Sequence, residues 1–267
     1  MKKIGIIGGG REGQWWEAFL QDLGHKTLIS DRAETNGNVI GFTNVIFLAV
    51  PISASASAAE QIIRWSSGSD KLIVSVCGLM TKVENALAGF PGDILFLHRM
   101  IGPQVKTMSG HNMIVNDVGL SKWQPFVQEL IKATEADVIP ATSEEHDDMV
   151  GLTQAIARIV TLALGIVSME APLPAQAFTN VPFTGLMAVL ARILDFKHML
   201  SRDMVLENPF ARKWIDKLHD AMLRIESESE DFEELFTKLE DFLGTGSVKA
   251  GSAALATMPS WWGKRSA

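Results

Sequence analysis

Short apolar runs alternate with amphipathic stretches through the first half of the chain. The runs are rich in Ile, Val and Leu and lack strict alternation, as strands buried on both faces do. They predict seven strands: Lys3–Ile7, Lys26–Ser30, Val45–Val50, Leu72–Val76, Ile94–Leu97, Asn112–Val115 and Asp137–Pro140. Between them, amphipathic stretches predict four helices: Glu12–Leu23, Ala54–Trp65, Thr81–Ala88 and Lys122–Thr134. This alternation predicts an α/β fold with a doubly wound, mostly parallel sheet.

The pattern changes near residue 142, after which only helical periodicity remains. Thr142 and Glu145 have the spacing of a helix capping box ahead of an apolar stretch. Gly185–Leu200 is apolar over most of its surface, as buried or interface helices are, and Glu226–Leu243 carries an apolar stripe beneath many acids. We therefore predict an α/β domain over residues 1–142 and an all-helical domain over residues 143–267.

Composition excludes several classes of protein. The net charge of −7 argues against a nucleic-acid partner, because phosphate binding needs a basic face. Cys77 is the one cysteine, which excludes an internal disulfide and a multi-cysteine metal site. With no tyrosine, mechanisms that need a tyrosine acid are excluded as well. The apolar run Ile159–Val167 is far shorter than a membrane span, so we expect a soluble, cytoplasmic protein without membrane contact.

A glycine motif follows the first predicted strand. Residues 8–13 read Gly-Gly-Gly-Arg-Glu-Gly, which fits G-x-G-x-x-G between a strand and a helix. Gly8 suits the tight turn, Gly10 the close approach of a pyrophosphate, and Gly13 the packing of helix on strand. Arg11 and Glu12 lie within the same loop. The alternative is a glycine-rich turn that holds no ligand.

Residues at the ends of the next strands extend this predicted dinucleotide site. Asp31 follows the second strand, where an acid accepts hydrogen bonds from a ribose diol and favours NAD over NADP. Arg32 beside it could pair with a 2′-phosphate, so NADP stays open. Val50 and Pro51 close the third strand and are candidates for cofactor contact, the alternative being a plain strand end.

Residues 97–103 read Leu-His-Arg-Met-Ile-Gly-Pro, residues 145–147 read Glu-His-Asp, and Gln154 follows two turns later. With the glycine motif, these segments resemble the prephenate and arogenate dehydrogenases over roughly the first 200 residues. That family has H-P-M-x-G-P after a strand, and E-H-D with a glutamine eight residues after its histidine. The resemblance implies a Rossmann domain, a helical dimerisation domain and a homodimer. It also implies oxidative decarboxylation of a cyclohexadienyl acid, with His98 hydrogen-bonding the substrate hydroxyl.

Several positions depart from the family pattern. Arg99 replaces the proline of the histidine motif, Cys77 falls where a serine is usual, and Arg158 falls where a second histidine is common. Thr184 falls where an arginine would bind the substrate carboxylate. Arginine binds carboxylates bidentately, so Arg158 or Arg99 could take over that role, with Gln154, Cys77 and Thr184 also lining the substrate site.

Other interpretations remain open at this stage. The chain could be a Rossmann dehydrogenase or reductase for another substrate, or a dinucleotide-binding sensor without catalysis. His146 could shape the site or make a structural hydrogen bond, and Asp147 fits a first-turn acid favoured by the helix dipole. The Trp261–Trp262 pair is expected to dock on a neighbour, because exposed tryptophans are costly in water.

Overall fold

The structure, a computed structural model, describes residues 1–66, 70–173, 175–196, 198–227 and 231–257. The predicted docking of Trp261 and Trp262 lies outside these residues. The chain divides into two compact units, Met1–Met149 and Val150–Ala267. The sequence predicts this division at residue 142, whereas the structure includes most of the next helix, Ser143–Val150, in the first unit.

The first unit contains a seven-stranded sheet in the order β2-β1-β3-β4-β5-β6-β7. Strands β1 to β5 run parallel, β6 is antiparallel to β5, and β7 is parallel to β6. The bounds are Lys3–Ile7, Lys26–Ser30, Val45–Leu48, Leu72–Ser75, Asp93–Arg99, Asn112–Val118 and Asp137–Pro140. The predicted fold class, a doubly wound and mostly parallel sheet followed by helices, is confirmed.

Five helices cover the two faces of this sheet. They are α1 (Arg11–Asp22), α2 (Ala33–Phe42), α3 (Ile52–Trp65), α4 (Thr81–Ala86) and α5 (Gln124–Thr134). Side chains of α1 and α5 join one apolar cluster with alternate residues of the central strands, whereas α2, α3 and α4 join a second cluster on the opposite face. Both faces are therefore buried, which explains why the central strands read as unbroken apolar runs.

Helix α2 was not predicted from the sequence. Its residues Thr35-Asn36-Gly37-Asn38 and Gly41 are poor helix formers. Packing overrides propensity here: Val39 and Ile40 are buried in the second cluster. A Cβ on Gly37 would lie 3.2 Å from the Trp65 ring, so the glycine lets α2 and α3 approach closely.

A long helical run begins at the predicted capping box. The backbone N–H of Glu145 donates to Thr142 Oγ1 (3.2 Å) and the N–H of Thr142 donates to Glu145 Oε2 (2.9 Å), which confirms the box. The run comprises α6 (Ser143–Val150), a π-helical segment (Gly151–Ile156) and α7 (Ala157–Met169). π-Helical segments are rare and often mark functional positions.

This run is also long and apolar enough to cross a membrane. Over Ser143–Met169 an 18-residue window has a mean hydropathy of 1.8, a test that core helices of soluble proteins also pass. The prediction that no apolar stretch is as long as a membrane span is therefore wrong for this helix. It considered only the unbroken apolar residues Ile159–Val167. The helix joins them to apolar residues on the other side of Arg158.

The second unit contains further helices, which differ in extent from those predicted. The sequence predicts one helix over Gly185–Leu200. The structure has two instead: α8 (Val181–Leu194) ends at Leu194, and α9 (His198–Leu206) begins at His198. The predicted helix Glu226–Leu243 starts only at Phe232, because Asp231 accepts hydrogen bonds from the N–H groups of Glu233 and Glu234 and caps it. The remaining helices are α10 (Ala211–Glu226), α11 (Phe232–Leu243) and α12 (Thr245–Ala256).

Candidate active site

The glycine loop between β1 and α1 has the backbone that the motif predicts. Gly8 has φ +112°, and a Cβ there would lie 2.3 Å from the Ala49 carbonyl oxygen. A Cβ on Gly13 would lie 1.9 Å from the Gly8 carbonyl oxygen, so helix and loop touch backbone to backbone. A Cβ on Gly10 would meet nothing within 4 Å. Gly8 and Gly13 are needed for the turn itself. Gly10 instead leaves space at the N-terminus of α1, as a phosphate-binding loop requires.

Asp31 lies against this loop at the end of β2. Its Oδ1 accepts a hydrogen bond of 2.8 Å from the Gly9 backbone N–H. Arg32 is exposed and precedes α2, and exposed Pro51 and half-buried Val50 lie at the end of β3 next to the turn at Gly8. The structure therefore brings the residues predicted to contact a dinucleotide to one edge of the sheet, the edge where ligands bind in open α/β folds.

His98 lies near the carboxyl end of β5 and joins a chain of hydrogen bonds. Its Nδ1 is 2.6 Å from Nε2 of His146, and Nδ1 of His146 is 2.7 Å from Oδ1 of Asp147. His146 and Asp147 are both buried. All three residues belong to the first unit, because α6 begins within it.

Asp147 is fixed by helix α4. Its carboxylate accepts hydrogen bonds from the backbone N–H of Met80 (2.9 Å), the N–H of Thr81 (2.9 Å) and the Thr81 hydroxyl. These contacts attach α6 to the start of α4, so most of α6 belongs to the first unit. The view of Asp147 as a first-turn acid of its own helix is thus corrected: it is fully buried and caps a different helix.

Arg99 follows His98 but points to the other face of the sheet, since successive side chains in a strand alternate. Its Nε and Nη2 donate to the two carboxylate oxygens of Glu12 at 3.0 and 2.6 Å, and its guanidinium lies 3.8 Å from the centre of the Trp15 ring. The structure therefore does not bring Arg99 to the side of His98. Glu12, predicted as a cofactor contact, holds this buried arginine.

Cys77 is buried after β4 among apolar residues. Its Sγ–H lies 3.4 Å from the Leu48 carbonyl oxygen and 3.5 Å from that of Val50. Burial raises the pKa of the Cys77 thiol to about 11. The thiol therefore stays protonated near neutral pH, which agrees with a lining residue and not with a nucleophile.

Three further predicted residues belong to the second unit. Gln154 lies in the π-helical segment, and its backbone carbonyl accepts a hydrogen bond of 2.9 Å from Arg158 Nη1. Arg158 is buried, and within the described parts of the chain its Nε has no hydrogen-bond partner and no carboxylate pairs with it. Burial lowers the pKa of this guanidinium. Buried Thr184 in α8 is hydrogen-bonded to the Thr179 hydroxyl (2.9 Å).

Sequence reasoning did not predict the link between His98, His146 and Asp147, nor the pair of Arg99 and Glu12. Two features of the sequence could have indicated them: the Glu-His-Asp segment in the first helix after the last strand, and a charged residue at the end of an apolar strand. Among the residues that the structure describes, no group of three or more His, Cys, Asp or Glu side chains is arranged to hold a metal ion.

No protein-family model and no curated protein matches the sequence. Solved structures do match. A Corynebacterium glutamicum protein provisionally named a prephenate dehydrogenase has a TM-score of 0.73 at 17% identity, covering 92% of this chain and 90% of that one. Prephenate dehydrogenase from Aquifex aeolicus, solved with hydroxyphenyl propionate and NAD+, gives 0.70 at 16% identity, covering 90% and 96%. Synechocystis arogenate dehydrogenase gives 0.64 at 15%, covering 94% and 96%. Over nearly its whole length, the chain therefore has the fold of the prephenate and arogenate dehydrogenases.

Proposed function

We propose that this protein is an NAD(P)-dependent dehydrogenase that oxidises prephenate, arogenate or a related cyclohexadienyl acid with loss of carbon dioxide. The observation that carries the proposal is the hydrogen-bonded chain from His98 through His146 to the buried carboxylate of Asp147. It lies in the same unit as a glycine loop suited to phosphates, at the carboxyl end of the parallel strands. The shared fold and the family motifs at these residues support the same assignment.

The chain of hydrogen bonds determines which nitrogen of His98 carries a proton. Asp147 receives its other hydrogen bonds from N–H and O–H donors, as an ionised carboxylate does. His146 then carries its proton on Nδ1 and offers the Nε2 lone pair to the Nδ1–H of His98. In neutral His98, Nε2 is consequently the acceptor, which is the form needed to take a proton from a substrate hydroxyl.

The same arrangement stabilises the product of that proton transfer. When His98 Nε2 accepts the hydroxyl proton, the imidazole becomes a cation whose Nδ1–H still donates to His146. The buried Asp147 carboxylate, one ring further on, offsets the positive charge and keeps both rings oriented. His146 and Asp147 are therefore proposed as positioning residues, and His98 as the catalytic residue.

The glycine loop and Asp31 are the residues proposed to hold the dinucleotide. Gly8 would shape the turn, since its N–H donates to the Ser30 carbonyl (2.7 Å), and the backbone N–H groups of Gly10 and Gly13 at the start of α1 would face the pyrophosphate. The Asp31 carboxylate would accept from the ribose diol, with Arg11, Arg32, Val50 and Pro51 at the edges. A bound NAD+ supplies the acceptor for the hydride that leaves the hydroxyl-bearing carbon. NAD is proposed over NADP because Asp31 would repel a 2′-phosphate.

Arg158 is proposed to bind a carboxylate of the substrate. Its guanidinium is buried, hydrogen-bonds only to a carbonyl of its own helix, and has no counter-charge among the described residues. An uncompensated buried charge is costly, so an anionic ligand is the natural partner. Arg99 is not proposed for this role, because its guanidinium already forms an ion pair with Glu12.

A homodimer through the helical unit is proposed from its exposed apolar side chains. Ile166, Val167 and Met169 of α7, Val189 and Leu194 of α8, and Phe236 and Phe242 of α11 are each at least two-fifths exposed. Exposed apolar side chains in such number are typical of an interface. Cytoplasmic location is proposed with it, because the chain shares the fold of the solved prephenate and arogenate dehydrogenases. Light scattering and cell fractionation test these two points.

The activity is tested by following the absorbance of the reduced nicotinamide with prephenate and with arogenate, each with NAD+ and NADP+. Turnover with either acid supports the proposal. Dinucleotide binding without turnover would favour a different substrate or a non-catalytic sensor.

A further inference from the structure

The ion pair of Arg99 and Glu12 connects two segments that are 87 residues apart in sequence. Glu12 lies in the first turn of α1 and Arg99 ends β5. The pair is bidentate, and Glu12 Oε1 also accepts a hydrogen bond of 3.0 Å from Trp16 Nε1. The Arg99 side chain is 1% exposed and that of Glu12 is 31% exposed. The cation is thus inside the fold, while the carboxylate reaches its surface next to the glycine loop.

Glu12 occupies an unfavourable position for a phosphate-binding loop. It is the third variable residue of the G-x-G-x-x-G motif, at the helix N-terminus where a pyrophosphate would lie. A carboxylate suits a helix N-terminus that holds no anion, but it repels a diphosphate that carries two negative charges. Without a partner, Glu12 would oppose binding of a dinucleotide.

Arg99 is placed to cancel this charge. Its two hydrogen bonds reach both carboxylate oxygens, and the Trp15 ring covers its guanidinium, so solvent screens the pair little. Trp15 is itself held by a hydrogen bond of 2.9 Å from its Nε1 to the Val105 carbonyl oxygen. The arrangement fixes the positive charge directly behind the first turn of α1.

Stability alone does not account for the pair. Buried ion pairs are often replaced by apolar residues of similar volume without loss of stability. Here the cost is higher still, because Arg99 Nη1 is buried and has no hydrogen-bond partner within the described residues. A buried donor left unsatisfied calls for a functional explanation.

We infer that Arg99 neutralises Glu12 beneath the glycine loop and thereby permits binding of the dinucleotide pyrophosphate at the N-terminus of α1. The inference rests on the proposed dinucleotide site. Because His98 precedes Arg99 in β5, the same contact holds the strand end that carries the catalytic residue against the loop that holds the cofactor. Arg99 acts through Glu12 and is a positioning residue.

The test is a double-mutant cycle that removes each charge of the pair singly and together, read by equilibrium binding of NAD+ with calorimetry on the whole chain. We expect Arg99→Met to weaken binding about tenfold or more, the equivalent of roughly 1.4 kcal/mol. Glu12→Gln alone should bind within about threefold of wild type, and the double variant Arg99→Met/Glu12→Gln should regain most of the lost affinity. Arg99→Lys keeps the charge and should lie between wild type and Arg99→Met.

The controls separate charge from folding. Arg212→Met removes an arginine from the exposed pair with Asp216 and should leave binding unchanged. Thermal melting by circular dichroism identifies any variant that fails to fold. Folded Arg99→Met that binds NAD+ like wild type contradicts the inference alone, as does a double variant that stays as weak as Arg99→Met. Wild type that binds neither NAD+ nor NADP+ overturns the proposed cofactor and this inference together.

Discussion

The Nε2 atom of His146 lies 2.6 Å from Nδ1 of His98, across 48 residues of sequence. This contact connects β5, which carries the proposed catalytic residue, to helix α6, which carries His146. Asp147 contacts His146 from the other side, and the tautomer that we propose for His98 rests on the hydrogen bonds of this buried carboxylate.

Asp147→Asn should lower kcat by about 10² to 10⁴, because an amide that presents N–H₂ to these donors no longer enforces the acceptor form of His98. Binding of NAD+ should change little. Thr81→Val removes one hydroxyl donor and leaves both backbone N–H donors, so its effect should be much smaller. Steady-state kinetics on folded protein decide this; equal losses in the two variants would contradict the assignment.

Gly10→Ala should abolish or severely weaken dinucleotide binding without disturbing the fold. The backbone at Gly10 has φ −71°, which alanine adopts readily, and the added methyl group meets no protein atom within 4 Å. It would instead occupy the space left for a phosphate. Gly41→Ala, at a position with the same open surroundings in α2, is the matched control. Unchanged NAD+ affinity in Gly10→Ala would show that the ligand does not lie over this loop.

Arg158→Met should raise the KM for a carboxylate substrate about tenfold or more while leaving stability unchanged or increased. The substitution removes a carboxylate-binding group, but also a buried charge without a counter-ion in the described structure. Arg192→Met, in an exposed pair with Asp195, is the control. A loss of stability without any change in KM would instead assign Arg158 a purely structural role.

Asp93→Asn should destabilise the protein by about 1–3 kcal/mol at neutral pH. Burial alone would raise the pKa of the Asp93 carboxyl, but hydrogen bonds from the Trp123 and Ser121 backbones and the Ser121 hydroxyl outweigh it, and the pKa is lowered. A carboxyl with a lowered folded pKa contributes stability above its unfolded pKa of about 3.9, and this is lost as the pH falls through the folded value. The difference between wild type and Asp93→Asn, measured by urea unfolding, should therefore shrink below about pH 4. Exposed Asp22→Asn should show no such dependence.

The sheet could be predicted from sequence because both of its faces are covered, so each strand appears as an apolar run between turns. The strand at Val45–Leu48 is an example, with all four residues buried. Helix α2 could not be predicted, since glycine and asparagine disfavour it and only contacts with distant residues such as Trp65 stabilise it. The break between α8 and α9 interrupts a stretch that the sequence predicts as one helix, because apolar residues lie on both sides of it.

The sequence predicts only those parts of the candidate site that depend on neighbouring residues in the chain. The glycine loop depends on backbone conformation within six residues, and Asp31 on its place after a strand. The partners of His98 and Arg99 depend on contacts across 48 and 87 residues, which strand alternation and helix packing determine. Arg99 was therefore grouped with His98 from their adjacency in sequence, whereas the strand directs the two side chains to opposite faces.

The most direct test of the account compares wild type, His98→Asn and the control His111→Asn, a half-buried residue ahead of β6, in formation of NADH or NADPH from prephenate and from arogenate. The account predicts turnover in wild type and in His111→Asn, with a loss of about 10²-fold or more in His98→Asn at unchanged cofactor affinity. Wild type that binds NAD+ but oxidises neither acid, or full activity in His98→Asn, would contradict it.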